Sequence, residues 1–133
     1  MTYTFIIEGK LSNLNDYLSA ERVSFKGARG HYNTRGNVLK QESMRTVMTY
    51  IRKDLRGVKI TKPVKIRYTF FEPNKKRDLD NVASFAMKII QDSLVKAGVL
   101  LNDTWSCIYG FECNFDVDKD RPHIIVELIE KED

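Results

Sequence analysis

The sequence predicts a small α+β domain, in which a mixed sheet of about four strands packs against two main helices. Two stretches carry apolar residues three or four positions apart, which is typical of amphipathic helices. Four other stretches are rich in β-branched and aromatic residues or alternate between apolar and polar ones, which is typical of strands. The length of 133 residues and the hydrophobic fraction of 42% suit one core. We therefore expect residues 1–133 to form a single domain with the order β-α-β-α-β-β.

The first half of the chain contains one predicted strand, one long irregular segment and one predicted helix. Residues 3–8 are rich in β-formers and short enough to be a strand. Residues 9–36 show neither the helical nor the strand period, and a loop of this length is usually functional or partly disordered. Residues 37–55 repeat apolar side chains at helical spacing, and Gly57 follows them as a helix stop.

The second half of the chain contains a strand, a helix and two further strands. Residues 63–71 alternate between apolar and polar side chains, which predicts a strand, and residues 79–96 carry an apolar helical face. Residues 106–115 and 123–129 are again rich in β-formers. Because only residues 116–122 separate these two strands, we expect them to pair as a hairpin.

The charge is strongly segregated along the chain. The net charge is +4, yet residues 22–77 hold 16 Lys and Arg against 3 Asp and Glu, whereas residues 78–133 hold 5 against 12. A charge separation of this size indicates which molecules the protein binds, and it says little about the fold. A basic half attracts polyanions, of which nucleic acid is the commonest. The acidic half is either a solvated surface or a set of carboxylates gathered around a cation.

The number of cysteines and the length of the apolar runs predict the cellular compartment of the protein. Cys107 and Cys113 are too few for a disulfide framework and lack the partners of a structural zinc site. The apolar runs are too short for a transmembrane helix, and residues 1–10 lack the features of a signal peptide. We expect a cytoplasmic protein with reduced thiols and no membrane partner.

The segment from residue 21 to residue 36 mixes basic and aromatic side chains with glycine. This composition is typical of a loop that contacts nucleic acid, and we expect it to be mobile in the free protein. A solvated insertion has the same composition and remains an equal alternative. The basic candidates for DNA contact are Arg22, Lys26, Arg29 and Arg35, and the aromatic ones are Phe25 and Tyr32.

A polar constellation begins where the predicted strand at 63–71 gives way to the next helix. Asp78 and Asp80 flank one apolar residue, and Asn81 follows them. The simplest explanation is helix capping, because Asp is a favoured N-cap and acidic residues complement the helix dipole. Two carboxylates and an amide directly after three basic residues exceed what capping requires. We therefore regard this segment as a candidate site.

The predicted helix continues the constellation on one polar stripe. Asn81, Lys88 and Asp92 fall within about 40° of one another at 3.6 residues per turn, away from the apolar arc. An ordinary ion pair between Lys88 and Asp92 is the alternative explanation. Asp103 lies beyond the helix, and only the fold or a dimer partner could bring it to the Asp78 end.

At this point the sequence resembles a known family. Residues 75–103 resemble the signature of RusA-type Holliday-junction resolvases, which has a basic stretch, Asp-x-Asp-Asn, a helix with Lys and Asp-x-Leu, then Gly and a closing acidic pair. A weaker resemblance covers residues 12–17, and the strand expected at 63–71 precedes the signature as it does in the family, so that the resemblance covers most of the chain except residues 18–60. The helix is about one turn longer here, and Asn102 stands where the family often has an acid. The matching positions are Asp78, Asp80, Asn81, Lys88, Asp92, Leu94, Gly98 and Asp103.

The resemblance implies a homodimeric, Mg²⁺-dependent, structure-selective endonuclease that resolves four-way junctions in DNA recombination and repair. It implies catalytic roles for Asp78, Asp80, Lys88 and Asp103. The three aspartates would bind the metal, Lys88 would neutralise the scissile phosphate, and Asn81 and Asp92 would support them. The expected contacts to backbone phosphates are Lys75, Lys76 and Arg77. A twofold dimer would present two sites to the two symmetry-related strands of a junction.

Other functions remain open at this stage. A basic nucleic-acid-binding module without catalysis would explain the charge of residues 22–77, but it would treat the acids and Lys88 as surface decoration. A metal nuclease that acts on RNA, flaps or forks would share the site and differ only in substrate. A protein-interaction adaptor is a further alternative that the clustered charge disfavours.

Overall fold

The computed structural model describes residues 1–11, 16, 18–19, 22, 24–26 and 32–132. Two long helices and a four-stranded mixed sheet make this an α+β domain, as predicted. A separate two-stranded ladder precedes the first helix. The elements are β1 (Thr2–Glu8), β2 (Ser24–Lys26), β3 (Tyr32–Thr34), α1 (Arg35–Asp54), β4 (Val64–Glu72), α2 (Leu79–Lys96), β5 (Ile108–Val117) and β6 (His123–Glu130).

The strand order of the main sheet is β1-β6-β4-β5. β6 runs antiparallel to both of its neighbours, whereas β4 and β5 are parallel and are joined through α2. The predicted hairpin between the last two strands is therefore wrong, because β4 lies between them. The connection crosses the end of β4, where the N–H of Asp118 donates to the carbonyl of Glu72 at 2.9 Å. β4 takes a central place because its apolar side chains alternate without interruption, whereas β5 carries polar residues and glycine that an outer strand tolerates.

The core lies on one face of the sheet. On β4 every second side chain is buried beneath the helices, from Val64 through Ile66 and Tyr68 to Phe70. The apolar face of α2 packs onto them through residues such as Phe85 and Ile89. Because the apolar face of each helix is buried against the sheet, the polar side chains of that helix lie on the opposite face or along its edges.

Residues 9–36 differ from the sequence prediction where they are described. β2 and β3 pair antiparallel, with Ser24 opposite Thr34, and α1 begins at Arg35, two residues earlier than predicted. Thr34 ends the ladder and caps the helix, since its hydroxyl accepts from the N–H of Asn37 at 3.0 Å. Strands of three residues are too short to show a period. The expectations on Arg29 and residues 12–15, 17 and 27–31 lie outside the described residues, as do those on the side chains of Phe25, Lys26 and Tyr32.

Both predicted helix stops are confirmed. Gly57 and Gly98 have φ angles of +75° and +79°, which residues with a Cβ rarely adopt. After α2, the N–H of Val99 returns to the carbonyl of Leu94 at 3.0 Å and closes the helix. Within the described ranges, neither helix has the length and apolar composition needed to cross a membrane, and both cysteines are free thiols.

Candidate functional site

The turn between β4 and α2 presents the first two predicted carboxylates to solvent. Asp78 holds the N-cap position with extended φ and ψ of −68° and 141°, yet its side chain makes no capping hydrogen bond. Asp80 lies in the first helical turn and is also exposed. In the part of the chain that the structure describes, neither carboxylate makes a hydrogen bond or an ion pair. The side chain of Asp78 therefore does not cap the helix, although capping was the simplest explanation for an acid at this position.

The predicted phosphate contacts beside these acids fall into two classes. Lys75 and Lys76 are exposed, whereas Arg77 is half-buried. Arg77 binds both carboxylate oxygens of Glu72, at 2.7 and 3.0 Å, and donates to the carbonyl of Leu11 at 2.9 Å. Its guanidinium thus ties the turn to the end of β4. Among the three basic residues, only the two lysines are exposed.

Glu72 is a residue that the sequence interpretation missed. Its side chain is only 11% exposed and faces Arg77. The signal was present, because the alternation that buries Val64, Ile66, Tyr68 and Phe70 continues to Glu72. A buried acid at that position requires a cationic partner.

The second part of the predicted site lies farther along α2. The Lys88 ammonium is 3.1 Å from Asp92 and 3.6 Å from Asp103, and its side chain is 61% exposed. The hydrogen bond and the charge of Asp92, with a smaller contribution from Asp103, raise the pKa of Lys88 above its ordinary value. Lys88 is therefore a fully charged cation that carboxylates hold on two sides.

Asp92 also contacts the other helix. Its second carboxylate oxygen is 3.6 Å from the ammonium of Lys40 on α1. Asp92 thus bridges two lysines. The local sequence of α1 did not indicate the contact between Lys40 and Asp92, because only the packing of α1 against α2 brings the two side chains together.

The loop between α2 and β5 is held by Asn102. Its side-chain oxygen accepts from the N–H of Thr104 at 3.0 Å and from the hydroxyl of Thr104 at 2.6 Å. This turn places Asp103 against Lys88. It also leaves the neighbouring Trp105 almost entirely in solvent, at 94% exposure. Asn102 therefore shapes the loop at the position where the resembling family often has an acid.

Two remaining candidates occupy other positions. Asn81 follows Asp80 in the first turn of α2, and its side chain is half-buried. Arg22 is exposed in a turn, and Arg35 is exposed at the start of α1.

The expected metal ligands are divided between the two ends of this constellation. Asp80 precedes Lys88 by eight residues, which is about 12 Å along a helix, and Asp103 lies beside Lys88. Among the described residues, no three His, Cys, Asp or Glu side chains lie close enough together to hold a metal ion. A magnesium ion needs its ligand oxygens at about 2.1 Å. The three aspartates of one protomer therefore do not fit a common metal ion.

The chain matches no protein-family model, and a comparison with curated proteins found no match. The family resemblance consequently stands on the motif residues alone.

Proposed function

We propose that this chain is a magnesium-dependent endonuclease that cuts branched DNA, with the four-way junction as its substrate, and that it acts as a homodimer. The observation that carries the proposal is the β4–α2 turn. There, two exposed carboxylates, neither of them used for capping, follow two exposed lysines, with Arg77 between the two pairs. Lysines beside a backbone phosphate position a nucleic acid without reading its sequence.

The chemistry of these groups suits phosphodiester hydrolysis. That reaction requires an activated water and relief of the charge that develops on the phosphate. Carboxylates are preferred ligands of Mg²⁺, and Asp78 and Asp80 supply two of them. Lys88, held by Asp92 and Asp103, supplies a fixed positive charge.

The test is incubation with end-labelled four-way junction, forked duplex, linear duplex, single strand and RNA hairpin, each with Mg²⁺ or with EDTA. We expect incision of the junction in Mg²⁺ only. Full activity in excess EDTA would contradict the metal requirement, and preferential cutting of forks or RNA would reassign the substrate.

One observation favours a second candidate function, a nucleic-acid-binding module without catalysis. The described carboxylates form no three-membered metal cluster within one protomer. Such a module would bind junction and duplex equally well in Mg²⁺ and EDTA and would release no product. The same incubation therefore separates the two functions.

A further inference from the structure

A groove lies where the C-terminal ends of the two helices meet. The end of α1 and the loop that follows it form one wall, the end of α2 forms the other, and the volume between them is about 250 Å³. The N–H of Ile60 donates to the carbonyl of Val99 at 2.9 Å, so a backbone hydrogen bond joins the two walls. Ile51, Leu55 and Val99 form its buried floor. The groove is therefore part of the packed domain.

Four basic side chains line the groove, and all four are exposed. They are Arg52, Arg56, Lys59 and Lys96. Among the described residues, no Asp or Glu lines the groove, and none of the four cations forms an ion pair. The acids closest to them in sequence have other partners. Asp54 accepts from the N–H of Ile6 at 3.1 Å, and Asp92 is bound to Lys40 and Lys88.

The ends of the helices account for only part of this positive charge. The C-terminus of a helix carries about half of a negative charge, so the two ends together carry about one. Four cations exceed that by about three positive charges. Because like charges placed close together repel one another, an anionic ligand explains the cluster better than helix stability does.

The groove also accounts for part of the charge of the basic half of the sequence. Residues 22–77 hold 16 Lys and Arg against 3 Asp and Glu. Arg67 and Arg77 are bound by acids within the domain, whereas the basic residues of the groove are not. A cluster of cations on one face is the electrostatic signature of a surface that binds nucleic acid.

One phosphate cannot contact both the groove and the β4–α2 turn. Asp80 and Lys96 are 16 residues apart on α2, which is about 24 Å along the helix at 1.5 Å per residue. Neighbouring base pairs of duplex DNA are about 3.4 Å apart, so this distance corresponds to about seven base pairs. A nucleic acid in the groove would therefore be held far from the bond that is cut.

We propose that this groove binds the phosphate backbone of one duplex arm of the branched DNA, several base pairs away from the phosphate at the β4–α2 turn. Cations on both walls suit a row of phosphates, which they position without reading the sequence. The inference rests on the proposed function for the identity of the substrate, but the contact with phosphates rests on the groove alone.

Binding to the four-way junction is measured by fluorescence anisotropy in EDTA over a range of salt. The groove variant is Arg52→Gln with Lys59→Gln, and the matched control is Lys53→Gln with Lys119→Gln. Lys53 lies in the last turn of α1 beside Arg52 and is exposed, but it does not line the groove. We expect the groove variant to bind about tenfold more weakly at low salt, with a slope of log K against log salt that is shallower by about 2.

The control should bind like the wild type, and both variants should unfold at the wild-type urea concentration because the substituted side chains are exposed. A groove variant with the wild-type slope would overturn the inference. A control that loses as much affinity as the groove variant would also overturn it, because the effect would then come from net charge. A wild type that binds no DNA would do the same.

Incision separates this inference from the proposed function. If the wild type cuts in Mg²⁺, the groove variant should need about ten times more protein for half of the maximal single-turnover rate and should still reach the wild-type maximum. A lower maximum would place the groove in the reaction itself and overturn the remote contact. If the wild type binds the junction but cuts no substrate, the proposed function fails, and the salt slopes alone decide the groove.

Discussion

At the level of single residues, Asp78 and Asp80 lie at the start of α2, where helix stability favours an acid and where the proposed metal site would use one. The Asp78 carboxylate makes no capping bond. Lys88 lies farther along the same helix. Its pairs with Asp92 and Asp103 lie at the surface, and exposed ion pairs contribute only about 0–1 kcal/mol to stability. These residues therefore contribute little to the free energy of unfolding.

Asp80→Asn should abolish cleavage and preserve, or even tighten, junction binding. The substitution removes a candidate metal ligand and also one negative charge that would face a phosphate. Cleavage assays and fluorescence anisotropy measure the two effects. Asp120→Asn, at an exposed position in the β5–β6 connection, is the control and should cut at the wild-type rate. If Asp80→Asn also cut at that rate, Asp80 would be a helix-terminal residue only.

Lys88→Ala should lose cleavage while the domain stays folded. The ammonium is 61% exposed and lies off the buried face of α2, so its removal leaves the core intact. We expect the melting temperature to change by less than about 5 °C. A large drop in melting temperature would indicate a structural role instead.

Arg77 and Lys76 are adjacent, and we expect them to act differently. Arg77→Ala leaves the Glu72 carboxylate buried without its partner, which should lower the free energy of unfolding by about 2–3 kcal/mol. Lys76→Ala should leave stability unchanged and weaken DNA binding. Urea titration and anisotropy measure both properties in both variants. Equal stability losses would contradict the structural assignment of Arg77.

At the level of elements, the two helices begin in different ways. α1 starts from Thr34, whose hydroxyl accepts a backbone hydrogen bond, whereas α2 starts from Asp78 without one. The second helix depends instead on its buried face and on the Arg77–Glu72 pair. The carboxylates of Asp78 and Asp80 at its N-terminus remain exposed.

This contrast predicts different costs of capping substitutions. Thr34→Ala should lower the free energy of unfolding by about 1 kcal/mol. Asp78→Ala should cost less, about 0.3–0.5 kcal/mol, because only its interaction with the helix dipole is lost. Urea unfolding of the two variants side by side checks the difference. A larger loss for Asp78→Ala would restore capping as its role.

At the level of the whole molecule, the basic and acidic halves of the sequence partly neutralise each other. β4 belongs to the basic half and lies between two acidic strands. Arg67 on β4 is 2.7 Å from Glu112 on β5 and 3.4 Å from Glu127 on β6. Hydrogen bonds from Asn114 and Arg67 lower the pKa of Glu112. Cations on this face of the sheet are therefore committed within the domain, while Lys75 and Lys76 remain exposed.

The salt dependence of DNA binding should reflect only the exposed cations. Each phosphate contact contributes about −0.9 to the slope of log K against log salt on duplex DNA. The double variant Lys75→Ala with Lys76→Ala should make the slope shallower by about 2, measured by anisotropy over a range of salt. Lys119→Ala, in the acidic half, should leave the slope unchanged. An unchanged slope in the double variant would remove these lysines from the interface.

The sequence by itself determined the helices and main strands of this protein and the polar stripe of α2. Those properties follow from the local period of apolar side chains, which a single element displays without its neighbours. The candidate residues Asp78, Asp80 and Lys88 were found in the same way, since spacing along one turn and one helix places them. The short strands β2 and β3 were missed because three residues cannot show a period.

Only the tertiary structure decided the strand order, the partner of Arg77 and the position of Asp103. The hairpin expected between β5 and β6 was wrong because β4 lies between these two strands and pairs with both. Strand pairing depends on which strands are most deeply buried, and the short connection at residues 116–122 does not decide it. Asp103 reaches Lys88 because the loop at Asn102 folds back along α2. Contacts between residues distant in sequence depend on the packing of whole elements, which local spacing does not encode.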